Sequence, residues 1–162
     1  MRALVLSLVV ALGGCGAEPG APPEAGTLVL VHTADLHSHV LPFTERIGAF
    51  DALRGLGREG ELAEVGGLAR IATLLSEVRA GPLPVLWIDS GDLVEGTRTF
   101  FEHEGRLELE LVSRLGLDAH VPGNHDLAHG AEALARYASS AAFPVLGSNA
   151  LPDGAGEGRG PF

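Results

Sequence analysis

Three short clusters of carboxylate, imidazole and amide side chains are the part of this sequence that can do metal chemistry. Residues 35–37 read DLH, residues 91–92 read GD, and residues 123–126 read GNHD. Carboxylate oxygen, imidazole nitrogen and amide oxygen together suit Zn²⁺, Mn²⁺ or Fe²⁺, whereas an all-oxygen calcium cage would not include the histidines. A single D-x-H arises often by chance, but three such clusters in this order strongly indicate a metal site.

The composition excludes several other kinds of site. All 11 basic residues of the 162 are Arg, so a phosphate-binding lysine, a Schiff base and a Ser–Lys dyad are excluded in this chain. The single Cys excludes an internal disulfide, a cysteine-rich zinc site and an iron–sulfur cluster. The net charge of -10 disfavours nucleic acid as a partner, because an acidic surface repels phosphate backbones. Ser38 and Ser90 have no base at triad spacing, which argues against a serine hydrolase.

The three clusters follow predicted strands. Apolar, β-branched runs predict four buried strands, at 27–33, 84–89, 118–121 and 143–147. Helical spacing of apolar residues predicts helices at 67–80, 107–115 and 131–139, with a weak helix or loop at 45–60. This βαβαβαβ order predicts an α/β fold with a parallel sheet and helices on both faces. Ligands bind beyond the carboxyl ends of the strands in such sheets, so the clusters are expected to meet there.

The N-terminal residues are predicted to be a targeting segment. Residues 3–12 are apolar apart from Ser7, which is too short to cross a bilayer but long enough for the apolar part of a leader. Residues 12–15 read LGGC and resemble the lipobox of bacterial lipoproteins. We therefore expect a signal peptide at 1–14, a lipidated Cys15 and a flexible linker to residue 26, which place the protein in the periplasm or at the outer membrane. The alternative is an ordinary leader with an incidental thiol.

The three clusters and their surroundings resemble the calcineurin-like metallophosphoesterases, in the branch of the 5′-nucleotidases and UDP-sugar hydrolases. The family pattern is D-x-H, then G-D, then G-N-H-D/E, and the matching segments are HTADLHSH, GGLARIATLL, DSGDLVEG, LGLDAHVPGNHD and FPVLGSNA. The resemblance implies a metallophosphoesterase-type β-sandwich flanked by helices. Residues 27–150 would form its N-terminal βαβαβαβ half, and the Gly-rich residues 151–162 a disordered tail.

The resemblance also implies a site for two divalent metal ions, with Zn, Mn or Fe expected. Asp35 and His37 would bind the first ion, and Asn124 would bind the second. Asp92 would bridge the two, a role that suits a carboxylate because two positive centres repel.

His125 and Asp126 are the catalytic residues that the resemblance implies. His125 would face the phosphate as a general acid or as a stabiliser of the transition state. Many relatives carry an Asp three residues after this His, but Ala128 stands there, so an orienting partner is missing or comes from elsewhere. His39 and Asp89 are predicted to hydrogen-bond the ligands rather than to bind metal, although simple solvation of His39 is an alternative.

Two functions remain open at this point. The first is a lipid-anchored hydrolase of the 5′-nucleotidase type, in which a metal-held hydroxide attacks a nucleotide or related phosphoester. The second is a non-catalytic lipoprotein that keeps the fold to bind a ligand or partner. The family's later G-H and G-H-x-H motifs do not occur before Phe162. We therefore expect an N-terminal fragment or a truncated gene product, with little activity and weak metal affinity of its own.

Overall fold

The computed structural model describes residues 8–12 and 26–147. The strands are β1 (Leu8–Leu12), β2 (Gly26–Thr33), β3 (Phe43–Arg46), β4 (Leu62–Val65), β5 (Val85–Asp89) and β6 (Ala119–His120). The helices are α1 (Ala49–Leu53), α2 (Leu68–Arg79), α3 (Arg98–His103), α4 (Arg106–Arg114) and α5 (Ala131–Ala138).

A four-stranded sheet in the order β1-β2-β5-β6 organises the described residues. The β2–β5 and β5–β6 pairs are parallel, which confirms the predicted α/β class. In this register Thr33 lies opposite Asp89, and Asp89 lies opposite His120. The carboxyl ends of the three parallel strands are therefore level, and the loops that follow them leave from one edge of the sheet.

Helices α2, α4 and α5 contribute to one hydrophobic core with the sheet. Trp87 at the centre of β5 is completely buried, and so are Val112 of α4 and Leu134 of α5. Leu75 of α2 and Val31 of β2 belong to the same cluster of buried side chains. Full burial of one such side chain stabilises the fold by about 1.5–3 kcal/mol. This core gives the loops at the sheet edge a rigid support.

The segment predicted as a weak helix or loop at 45–60 is loop with one short helix. Its first two residues end strand β3, which pairs with β4 so that Phe43 lies opposite Val65, and only the short α1 is helical. Phe50 and Leu53 show helix-like spacing but are 66% and 85% exposed, so no packing stabilises a longer helix. Propensity without burial is a weak determinant of helix formation.

Two elements differ from the prediction. The strand expected at 143–147 is reduced to one parallel bridge between His120 and Val145, flanked by main-chain hydrogen bonds. Pro144 contributes only its carbonyl, which accepts from the His120 amide at 3.1 Å, because proline has no N–H to extend the ladder. The short helix α3 was not predicted, since its six residues are too few to show a helical period.

Strand β1 lies within the segment predicted as a leader. It pairs antiparallel with β2, with Leu8 opposite Leu30 and Leu12 opposite Gly26. The leader prediction concerns processing of the chain and stays a prediction. Cys15, the linker up to residue 25 and the tail at 151–162 lie outside the described residues. Among the helices of the described part, none is both long enough and apolar enough to cross a membrane.

Candidate active site

The loops after β2 and β5 run side by side beyond the end of the sheet. The Asp35 amide donates to the Gly91 carbonyl and the His37 amide to the Asp92 carbonyl, each at 2.9 Å. These bonds continue the parallel pairing of the strands into the loops. As a result, the first and second clusters of the sequence face each other.

Glycines allow the third loop to reach the other two. Gly91 has φ 115°, and a Cβ at this position would lie 2.6 Å from the Gly123 nitrogen. A Cβ on Gly123 would in turn overlap the Asp92 carboxylate. The contact between the second and third clusters therefore depends on the absence of side chains at these two positions.

Three potential ligands converge where the loops meet. One ligand atom from each of His37, Asp92 and His125 lies within 4.8 Å of the other two. His37 Nε2 is also 3.8 Å from Asp35 Oδ1 and 3.9 Å from Asp92 Oδ2. The His125 amide donates to Asp92 Oδ1 at 2.8 Å, and the two histidine rings pack edge to face at 4.6 Å. Carboxylate oxygen and imidazole nitrogen at this separation fit a divalent transition metal.

The orientation of His37 suits a metal ligand. Its Nδ1 lies 3.1 Å from the main-chain oxygen of Glu95. Because a carbonyl only accepts, Nδ1–H must donate, and a neutral ring then presents the lone pair of Nε2 to Asp35 and Asp92. Metal-binding histidines characteristically hold their second nitrogen in this way.

Left-handed backbone is concentrated in the first two loops. Asp35, His37 and Ser38 have φ of 57°, 45° and 56°, and Asp92 and Glu95 have φ of 53° and 64°. Within residues 26–147, only one further non-glycine residue adopts positive φ. Conformations of this kind cost about 1–3 kcal/mol each and cluster at functional sites. The surrounding hydrogen bonds therefore hold these loops in shapes that the side chains alone do not favour.

Asp126 holds the second and third loops together from below. It is 1% exposed. Its Oδ2 accepts from the amides of Asp92 at 2.7 Å and Gly123 at 2.8 Å, and its Oδ1 accepts from Val94 at 3.2 Å. Burial alone would raise the pKa of Asp126, but the hydrogen bond with His120 and those from the main chain lower it.

His120 lies between two buried carboxylates beneath the loops. Its Nδ1 is 2.9 Å from Asp89 Oδ1, and its Nε2 is 3.5 Å from Asp126 Oδ2. Asp89 also accepts from the Thr33 hydroxyl at 2.6 Å and from the Gly91 amide at 3.1 Å. Burial by itself lowers the pKa of His120, but the hydrogen bonds and charges of Asp126 and Asp89 outweigh it and raise the pKa to about 9.

The comparisons with known proteins agree with this geometry. The family model for calcineurin-like phosphoesterases matches residues 28–158, which is most of the chain and includes all three clusters. The chain belongs to the calcineurin-like phosphoesterase family. The family predicted from the three motifs is thereby confirmed, and the relatives described next are hydrolases of the 5′-nucleotidase type.

Similar proteins include 5′-nucleotidases from animals and bacteria. The chain is 36% identical to a snake venom 5′-nucleotidase of Gloydius brevicauda over 93% of its own length and 24% of the relative's. It is 31% identical to the 5′-nucleotidase of Bos taurus, covering 87% and 23% of the two chains. The solved 5′-nucleotidase precursor of Thermus thermophilus matches with a TM-score of 0.63 and 33% identity, covering 75% and 22%. This phosphoesterase chain thus spans about a quarter of the length of the relatives it matches.

The structure brings most of the predicted site residues of this phosphoesterase together. Asp35, His37, Asp92 and His125 lie together, as described above. Asn124 is exposed on the third loop, between two residues that contact Asp92.

Two of the histidines outside the ligand cluster, His39 and His120, have different surroundings. The His39 ring packs on Phe43 with 4.2 Å between centroids, and burial lowers the pKa of His39. His120 was not among the predicted site residues, although it lies between Asp89 and Asp126. Because the partners lie 31 and 6 positions away, no local pattern marks this histidine.

Glu95 is the second residue that sequence reasoning missed. Its Oε2 is 3.0 Å from His125 Nδ1, and its Oε1 is 3.7 Å from His129 Nε2. The available signal was Ala128, which left His125 without the partner expected three residues later. Glu95 supplies a carboxylate to His125 from the second loop instead.

The buried ion pair around His120 predicts a loss of stability at alkaline pH. The raised pKa means that the folded state holds a proton more tightly than the unfolded chain. This contribution is fully present below pH 6.5 and disappears as the pH rises through about 9. Over this window we expect the free energy of unfolding to fall by about 3 kcal/mol relative to His120→Gln. Urea denaturation at several pH values measures it, and parallel curves for the two proteins would contradict the expectation.

Proposed function

We propose that the gene product is a metal-dependent phosphoester hydrolase of the 5′-nucleotidase type. The observation that carries this proposal is the convergence of Asp35, His37 and Asp92 beside His125, in a member of a phosphoesterase family. The substrate class is a nucleotide or a related small phosphoester, in keeping with the names of the relatives. Because the chain spans about a quarter of those relatives, the proposal concerns the full gene product.

Four side chains are proposed as ligands of two divalent ions, of which Zn, Mn or Fe suit the donor set. Asp35 and His37 would hold one ion and Asn124 would hold the other. Asp92 would serve both, since it lies against both the first and the third loop. When bound, such a pair supplies a water of lowered pKa and neutralises phosphoryl oxygens.

His125 is proposed to contact the phosphoester. Its side chain is 43% exposed and borders the ligand cluster, so a phosphate held there is within its reach. In that position it can donate a hydrogen bond or a proton as negative charge develops.

Asp126 is assigned a different role from the catalytic one that the motif implies. It is 1% exposed, and both carboxylate oxygens accept from main-chain amides. We assign it to holding the Asp92 and Gly123 loops in register.

A hydrolysis assay with metal removed and restored tests the function. The gene product is treated with a chelator and then supplied with Mn²⁺ or Zn²⁺, and phosphate release is measured from a nucleoside monophosphate and a nucleotide sugar. We expect turnover of about 1–10³ s⁻¹ that depends on the added metal. Hydrolysis that survives chelation would contradict the proposal. Metal and nucleotide binding without turnover would favour the binding lipoprotein instead.

We also propose that the protein is anchored outside the cytoplasm through Cys15. The support is the LGGC sequence at 12–15 after a short apolar segment. Cells that express the wild type are expected to incorporate a fatty-acid analogue into the protein and retain it in the membrane fraction, whereas Cys15→Ser loses both. An unlabelled wild type in the soluble fraction would refute the anchor.

A further inference from the structure

Glu95 contacts both histidines of the candidate site through different groups. Its main-chain oxygen accepts from His37 Nδ1 at 3.1 Å, and its carboxylate lies 3.0 Å from His125 Nδ1. The two rings are neighbours, 4.6 Å apart. A single residue thus contacts the Nδ1 atoms of both imidazole rings.

The backbone around Glu95 is shaped for this arrangement. Glu95 itself has φ 64°, a left-handed conformation that turns its carbonyl toward His37. The next residue is Gly96 with φ 129°, and a Cβ there would lie 2.9 Å from both Cβ and the main-chain oxygen of His37. The second loop can therefore approach His37 only with glycine at position 96.

The carboxylate of Glu95 is itself supported. Its second oxygen lies 3.7 Å from His129 Nε2, and the His129 ring stacks on Phe100 with 5.1 Å between centroids. Phe100 belongs to the hydrophobic core. The carboxylate thus has a second imidazole beside it, that of the half-exposed His129, whose ring rests on the core.

We propose that Glu95 is the positioning residue for both histidines, its carbonyl orienting His37 and its carboxylate orienting His125. An ionised carboxylate only accepts, so Nδ1 of His125 carries the proton that it shares with Glu95. Nε2 is then the nitrogen left to face a bound phosphoester. In the neutral ring Nε2 carries a lone pair, and it donates to the phosphoester, as the proposed function requires, once it has taken up a second proton. The consequence for turnover rests on the proposed function, but the effect on the ring does not.

The state of the His125 ring tests the proposal without any catalysis. In metal-free protein labelled with ¹⁵N-histidine at about pH 8.5, well above the ordinary pKa of histidine, long-range ¹H–¹⁵N spectra report which ring nitrogen carries the proton. We expect the wild type to show His125 in the Nδ1–H form, with the signal assigned by its loss in His125→Gln. In Glu95→Ala the Nε2–H form becomes the major one, whereas Glu95→Gln keeps Nδ1–H because its side-chain oxygen still accepts.

One signal and one further variant serve as controls. His37 donates to the main-chain oxygen, so its Nδ1–H signal remains in Glu95→Ala and reports that the loop is still folded. Glu104, at the end of α3, has a similar left-handed φ of 52°. Glu104→Ala therefore costs about as much backbone strain as Glu95→Ala but leaves the contact with His125 intact. An unchanged His125 tautomer in Glu95→Ala would overturn the proposal, as would the same change in Glu104→Ala.

Kinetics separate positioning from binding. We expect Glu95→Ala to lower kcat by about 10–100-fold while KM changes much less, because orientation rather than substrate contact is lost. Glu95→Gln is expected to recover part of this loss. A wild type without turnover would reject the proposed function but leave the tautomer result valid. A change in KM alone would overturn the positioning role.

Discussion

Asp92→Asn is expected to remove both metal ions from the gene product and to lower hydrolysis by about 10³-fold or more, since metal ions contribute several kcal/mol to such reactions. The reason is geometric. One Asp92 oxygen lies 3.9 Å from His37 Nε2, and the other accepts from the His125 amide of the third loop. A neutral amide at this position can still accept that hydrogen bond but cannot compensate the charge of two ions.

Metal analysis of the purified variants checks the bridge. Asn124→Ala is expected to weaken mainly one ion, because only the bridging ligand serves both. Asp118→Asn is the matched control, since Asp118 Oδ2 also accepts from a main-chain amide, that of Trp87 at 2.7 Å, away from the ligand cluster. Equal metal content in the wild type and Asp92→Asn would refute the bridging role.

His125→Ala is expected to lower kcat by about 10²–10⁴-fold with metal content unchanged. The His125 ring lies beside the proposed ligands, and its Nδ1 is engaged with Glu95. We propose that it interacts with the phosphoester rather than with the metal. His32→Gln is the control for the loss of an imidazole outside the ligand cluster, since His32 Nε2 is engaged with Ser90 Oγ at 2.8 Å. Loss of one ion in His125→Ala would instead make His125 a ligand.

Several strands and helices of the fold could be predicted from the sequence, because the patterns that identify them lie within the segments themselves. Apolar runs identify β2 and β5, and an apolar helical stripe identifies α2. The strand expected at 143–147 forms only a single bridge, because Pro144 has no N–H to extend the ladder. The segment at 45–60 contains one short helix within loop, as a weak helix or loop would, since Phe50 and Leu53 stay exposed.

The sequence by itself determined the family and the α/β class, since these depend on side-chain type and on order along the chain, and it supplied the candidate donor residues. Only the tertiary structure decided how the donors are held. It buries Asp126 under three amides, pairs His120 with two carboxylates, and brings Glu95 to both His37 and His125. The physical reason is that hydrogen-bond partners 30 to 58 positions apart meet only once parallel strands set their loops at one edge. The spacing of these residues in the sequence therefore does not predict their contacts.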